Sequence, residues 1–191
     1  MTNPGNTTDQ FEIRRNKLIF LEKNGIEPYP ANTEKTMDNL SAIKFFSDNE
    51  TIAGKGSSTK PITVAGRIIA LRTMGKASFC DINDTSGKLQ VLIKKDILKE
   101  QFDLLEQIDI GDFIGITGKV FRTKLGEITV EADSLTVLSK SLKPLPIVKK
   151  DEEGNVYDAF TDPEQRYRMR YVDLVVNDHV KQTFITRTRI M

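Results

Sequence analysis

Tryptophan is absent from these 191 residues, and cysteine and histidine occur once each, as Cys80 and His179. A lone cysteine excludes an intramolecular disulfide and a multi-cysteine metal site, and the lone histidine gives it no nucleophilic partner, so zinc and cysteine-based chemistry are set aside. Long apolar runs are missing too. No stretch approaches the roughly 18 residues that a spanning helix needs, and the polar start "MTNPGNTTDQ" lacks the basic and apolar regions of a signal peptide. The expectation is a cytoplasmic protein with no membrane partner. An excess of one charge is lacking as well: 28 Lys and Arg stand against 27 acids, a net charge of +1, so no global basic field labels the chain as a nucleic-acid binder. The Gly-Lys-Gly at 54–56 lacks the spacing of a phosphate-cradling loop.

With 38% hydrophobic and 29% charged residues, the chain has the make-up of a globular domain with extensions. Residues 1–10 are small, polar and aperiodic, which reads as a disordered tail. A helical extension follows over 11–60. In "FEIRRNKLIFLEKNG", Phe11, Leu18, Ile19 and Leu21 form an apolar side, Gly25 is a stop, and Pro28 and Pro30 block continuation. A second short helix fits "MDNLSAIKFF", before a Gly/Ser loop. From Pro61 the texture changes to β-prone runs: "ITVAGRIIALR", "ASFCDIND", "KLQVLIKK", "DFIGITGKVFRT" and "EITVEADSLTVLS". Between the third and fourth, "DILKEQFDLLEQI" reads as a helix capped by Asp96. Three strands, a helix and two strands is the element order of an OB-fold, a five-stranded Greek-key barrel, here over 61–143, with Gly66, Gly115 and Gly118 suited to its bent strands. The fold class is mainly β with flanking helices. Residues 144–178, opening on "PLPIVKKDEEGNVYDAF", read as a linker and approach segment, and 179–191 carry a helical stripe to the last residue with no stop signal, as though the chain were cut.

Alternation sorts the barrel residues into two faces. Cys80, Ile82, Leu89, Val91, Ile93, Ile128, Val130 and Ala132 go inward; Phe79, Asp81, Asn83, Gln90, Glu127, Thr129 and Glu131 go outward. Phe79 is the odd member of the outer set. Packed beneath a neighbouring element it is ordinary structure. On an open OB face it is a platform for a nucleic-acid base, with Gln90 able to read the base edge, Glu127 to accept from an amino or imino group, and Arg72 to hold a phosphate. Alternation leaves the two readings level. Residues 60–100 hold eight Lys and Arg, Lys76 and Lys88 among them, against four acids, a modest tilt toward nucleic acid.

The phrases "RRNKLIFLEKNGIEPYP", "VAGRIIALRTMGKASFCDINDTSGKLQ", "GDFIGITGKVFRTKLGEITVEADSLTVLSKSLKPLP" and "DPEQRYRMRYVDLVVN" run in order from about Arg14 to the end. Together they resemble the N-terminal part of class II lysyl-tRNA synthetases. The aspartyl and asparaginyl synthetases share the barrel, but "MGKASF" and "EQRYRMRYVDL" favour the lysyl type. The resemblance implies that the barrel binds the uridine-rich anticodon of lysine tRNA. It gives Phe79 the ring that stacks on the central uridine, Gln90 the reading of that base's edge, Arg72 a basic companion role and Glu127 a neighbouring base. Arg14, Arg15, Lys17 and Lys76 would lie along the tRNA backbone. No match exists here to the family's ATP-site motifs, and "DHVKQTFITRTRIM" resembles only the start of its motif-one dimer helix. The resemblance thus implies no catalytic residue, metal or cofactor in these residues. ATP, magnesium, lysine and homodimer formation belong to a full-length enzyme. The competing readings are a stand-alone OB protein for single-stranded nucleic acid, and a protein-interaction barrel with no nucleic-acid role.

Overall fold

The computed structural model of the chain describes residues 4–53, 60–146, 149–150, 156–157 and 160–191. It divides into two units, residues 1–144 and 145–191. In the first, α1 (Pro4–Lys23) and α2 (Asn39–Ala53) precede five strands: β1 (Ile62–Met74), β2 (Ala77–Asn83), β3 (Lys88–Lys94), β4 (Phe113–Arg122) and β5 (Ile128–Ser139). The strands close a barrel in the order β1-β2-β3-β5-β4, with β4 returning to β1. All pairs are antiparallel except β3 with β5. A parallel contact cannot be made by a hairpin. It is made here by routing the chain through α3 (Lys95–Leu98), a 3-10 helix (Lys99–Glu106) and β4 before β5 returns beside β3. This is the five-stranded OB arrangement.

The residues that alternation sends inward fill the barrel: Cys80, Ile82, Val91, Ile93, Val130 and Ala132 are all fully buried. Removing each such aliphatic side chain from water is worth about 1.5–3 kcal/mol before chain entropy is counted. Burial, with the nearby Asp81 charge adding to it, pushes the Cys80 thiol up to about 12, so it packs as a small hydrophobe and is no nucleophile. Among the expected glycines, Gly118 is where a side chain has no room. A Cβ there would stand 2.0 Å from the Glu131 carbonyl oxygen, at a shift in the β4–β5 register.

Three local expectations are corrected. The first helix begins at Pro4, inside the stretch expected to be disordered, because proline at a helix start gives up an N–H that has no partner there anyway. Asp96 sits within the first turn of α3 and does not cap it. The helical segment also changes type: Lys99, at φ 50°, ends the α turn, and a 3-10 helix carries Leu105 into the core.

A charged cluster joins α1 to the base of the barrel. Arg14 is 6% exposed, and its guanidinium donates to the carbonyls of Ser141 (3.0 Å) and Ile110 (3.1 Å). Lys17 Nζ meets Asp109 Oδ1 at 2.7 Å. Lys140, almost fully buried, bridges Asp109 Oδ2 (2.5 Å) and Asp112 Oδ2 (2.7 Å), and its own carbonyl accepts from Tyr29 Oη. Arg14 and Lys17, expected along a tRNA backbone, have their charges engaged by carbonyls and a carboxylate 92–127 residues away in sequence. Arg15 stays exposed, 3.7 Å from Glu12.

Asp84 performs a similar service in the β2–β3 turn. It accepts from Ser86 and Gly87 through one carboxylate oxygen, and from Lys35 Nζ and the Asn39 amide through the other, which ties the turn to α2. Burial alone would push the Asp84 and Asp109 carboxyls up. Hydrogen bonds from Lys35, Ser86 and two amides outweigh it at Asp84, and Lys140 and Lys17 outweigh it at Asp109, so both lie below the ordinary 3.8. A depressed folded-state value contributes stability that is present above the unfolded carboxyl value and lost as pH falls through the folded one. The urea midpoint of the chain should therefore hold steady from pH 7 to about 5 and fall progressively below pH 4. A midpoint at pH 3 equal to that at pH 7 contradicts the assignment.

The second unit holds the short pair β6 (Lys149–Lys150) and β7 (Val156–Tyr157), then α4 (Pro163–Arg168), α5 (Arg170–Val176) and α6 (Asp178–Ile190). Asp162 caps α4 by accepting from the Gln165 amide at 2.8 Å, with Pro163 in the first turn. Buried Asp173 gathers Arg166 (2.9 Å), Asn177 (2.7 Å) and Arg170. Most of 147–160, whose role the sequence left open, lies outside the described residues, as does the Gly/Ser loop at 54–59.

Candidate nucleic-acid interface

Strand register assembles the outer face in two rows. Across β1, β2, β3 and β5, the first is Arg72, Phe79, Leu92 and Glu131, and the second is Ala70, Asp81, Gln90 and Thr129. Residues directly opposite in a sheet are side-chain neighbours. Phe79 thus stands between Arg72 and Leu92, and Gln90 between Asp81 and Thr129. Arg72 reaches this face through a bulge. Ile62, Val64, Gly66 and Ile68 point inward at every second position, and the same alternation would carry Arg72 inside; the register shift between Ile68 and Ala70 reverses it.

The expected site residues meet the face differently. Phe79 is half-buried, Arg72 and Glu127 are exposed, and Gln90 is 8% exposed. Gln90 is held at both ends of its amide: Nε2 donates to Glu127 Oε2 at 3.0 Å, and Oε1 accepts from Thr129 Oγ1 at 2.9 Å. A carboxylate can only accept, so Glu127 fixes which end of the amide is the NH2 group. Glu127 is itself placed by its hairpin. The Gly126 amide donates to the Thr123 carbonyl with Gly126 at φ 90°, and the Glu127 amide donates to Thr123 Oγ1 at 3.0 Å. Phe79, Arg72, Gln90 and Glu127 therefore share one face, whereas Arg15 is an exposed residue of α1 and Lys76 is exposed at the β1–β2 hairpin tip.

Residues not singled out beforehand belong to the same face. Asp81 is 3% exposed, with Arg72 at 3.4 Å and Lys88 at 3.1 Å; Lys94 pairs with Glu131 at 2.5 Å; Leu92, 7% exposed, lies beside Phe79. Alternation already sent Asp81 and Thr129 outward, so the signal was there, but pairing was needed to show which ones adjoin Gln90. The face is a partly open aromatic ring with an oriented amide and carboxylate on one side, cations at its edges, and acids holding those cations. That arrangement suits a flat heteroaromatic ring carrying both acceptors and donors on its edge. Among the described residues there is no group of three or more His, Cys, Asp or Glu that could hold a metal ion. No helix among them is long and apolar enough to cross a membrane.

Comparison with known proteins bears on the same face. Residues 62–138 match the tRNA anti-codon family, described as an OB-fold nucleic acid binding domain. The lysine–tRNA ligase of Porphyromonas gingivalis strain W83 is 45% identical over 192 residues, and that of Christiangramia forsetii is 42% identical over 190; each match covers 96% of this chain and 32% of the relative. The chain thus spans about a third of the length of the curated relatives it matches. Residues 62–138 form a closed five-stranded barrel that matches the OB-fold nucleic acid binding family, and the chain is similar to the N-terminal third of lysine–tRNA ligases.

Proposed function

We propose that this chain is the anticodon-reading portion of a lysine–tRNA ligase, a cytoplasmic enzyme that attaches lysine to lysine tRNA at the expense of ATP. Its barrel takes the central anticodon uridine. The observation that carries the proposal is the half-open Phe79 ring beside an amide already oriented by Glu127 and Thr129. Stacking on the ring is indifferent to base identity. Discrimination comes from the edge. Uracil offers two carbonyl acceptors with one N–H between them, and Gln90 has a second amide hydrogen to donate while Glu127 keeps a carboxylate oxygen to accept. Lys76 and Arg15 are the cations left for the backbone, now that Arg14 and Lys17 are engaged within the fold and Arg72 is held by Asp81 beside the ring. The complete ligase would bind ATP and magnesium through residues other than these, and its dimer contacts would include α6.

The competing function is a general single-strand binder on the same stacking platform, and the two part on discrimination. Isothermal titration of the 191-residue chain with a lysine-tRNA anticodon stem-loop, and with one whose central uridine is changed, decides between them. A loss of at least about tenfold for the changed loop, the 1.4 kcal/mol of one good edge contact, supports anticodon reading. Equal affinities show a general binder.

A further inference from the structure

Asp81 is a conspicuous group on a surface proposed to receive a polyanion. Its carboxylate is 3% exposed and sits in the middle of the face, cross-strand from Gln90. A buried negative charge there repels phosphate and costs desolvation, so a function is to be sought in what it holds. It holds two half-exposed cations from the flanking strands, Arg72 at 3.4 Å and Lys88 at 3.1 Å. The Arg72 contact is diagonal. The residue directly opposite Asp81 on β1 is the small Ala70, whereas Arg72 stands directly opposite Phe79. A guanidinium placed across from a phenyl ring has a ready alternative in stacking on it. Among the described residues, the cations that lie over rings are Arg67, Lys95, Arg170 and Arg187, and Arg72 is not one of them. Its charge leans along the strand to Asp81 and leaves the ring open.

We propose that Asp81 is a positioning residue of this interface: it draws Arg72 off the Phe79 ring and restrains Lys88, so that the ring is free for a base and phosphate attraction does not swamp edge reading. The proposal rests on the reading of the outer face as the anticodon site. Loss of the Asp81 charge has two consequences. Arg72 settles on the ring and competes with the incoming base; only a base whose edge matches Gln90 and Glu127 is seated on the ring, so the cognate loop loses affinity while the changed loop, held mainly through its phosphates, loses little. Lys88 becomes free for phosphate, which raises affinity for any RNA and steepens its salt dependence.

The test measures both stem-loops over a range of salt with wild type, Asp81→Asn, Arg72→Gln and the Arg72→Gln/Asp81→Asn double variant. Discrimination by the wild type shows first that the anticodon reading stands; its absence removes the basis for both proposals. Given that discrimination, Asp81→Asn is expected to reduce the ratio of cognate to changed-loop affinity by about fivefold or more, the lower end of one stacked base. It is also expected to steepen the slope of log K against log salt by about 0.7 for each cation released. In the Arg72→Gln background the same change should move the ratio by less than about twofold, since the competing group is gone. A merely structural loss would lower both affinities together and leave the slope alone. If Asp81→Asn does not fold, Asp81→Glu keeps the charge while displacing the carboxylate, and should lower the ratio without altering the slope. A foldable Asp81→Asn, or failing it Asp81→Glu, that retains the wild-type ratio overturns the role of Asp81.

Discussion

Phe79→Ala weakens binding of the lysine-tRNA anticodon stem-loop by about 1–3 kcal/mol, a rise in Kd of about 5- to 150-fold, because one base loses its stacking platform. The ring is half-buried and cross-strand from Leu92, so its removal has a structural cost as well. That cost is bounded by the worth of one cross-strand aromatic pair, about 0.2–1 kcal/mol, since the barrel interior is filled by the opposite face of β2 through Cys80 and Ile82. Titration and thermal melting of the same sample separate the two effects. The expected result is a large loss of affinity with a small loss of stability. An unfolded variant, or a folded one with wild-type affinity, rejects the stacking role. Phe79→Leu should recover the stability and only part of the affinity, because an aliphatic side chain packs against Leu92 but offers no flat face to a base.

Lys140→Met destabilises the first unit by about 3–5 kcal/mol. The substitution keeps the apolar stem of the side chain and removes the terminal ammonium with its charge and donors, so little of the loss comes from a cavity. It comes from Asp109 and Asp112, whose carboxylates converge on Lys140 Nζ at 2.5 and 2.7 Å, Asp112 being fully buried. Lys17 remains to Asp109 alone. Asp112 keeps the amides of Asp109 and Ser141, both at 2.7 Å, and the charge of Arg67, which donates to the Gly111 carbonyl, acts on it only at longer range. Urea denaturation followed by far-ultraviolet circular dichroism measures the change. A loss below about 1 kcal/mol would show that these carboxylates reach water. Since this cluster also seats α1 through Arg14 and Lys17, and the loop after it through Tyr29, protease sensitivity of the first helix should rise in the variant.

How much of this was legible beforehand depends on the range of the interactions. The two-residue period of β2, β3 and β5 is a local property, and it placed Cys80, Ile82, Val91, Ile93 and Val130 inside and Phe79 outside. The helical expectation for 96–108 was right in position but not in type, because Lys99 adopts a positive φ that no residue preference announces. The intramolecular partners of Arg14 and Lys17 were not legible for a different reason. A basic helix face has the same spacing whether it meets solvent, RNA or a carboxylate, and their partners lie 92–127 positions further along the chain.

The sequence by itself determined the element order, the inner and outer faces of most strands, and the residue types from which a base-binding surface can be made, because each follows from local periodicity and side-chain chemistry. Only the tertiary structure decided which of those residues work together. The apolar run "IIAL" in β1 is compatible with either parity, and the bulge between Ile68 and Ala70 is what brings Arg72 out beside Phe79. The parallel pairing of β3 with β5 is what sets Gln90 against Thr129 and within reach of Glu127. Both are long-range contacts, fixed by closure of the barrel and packing of its core, and no window of neighbouring residues contains them.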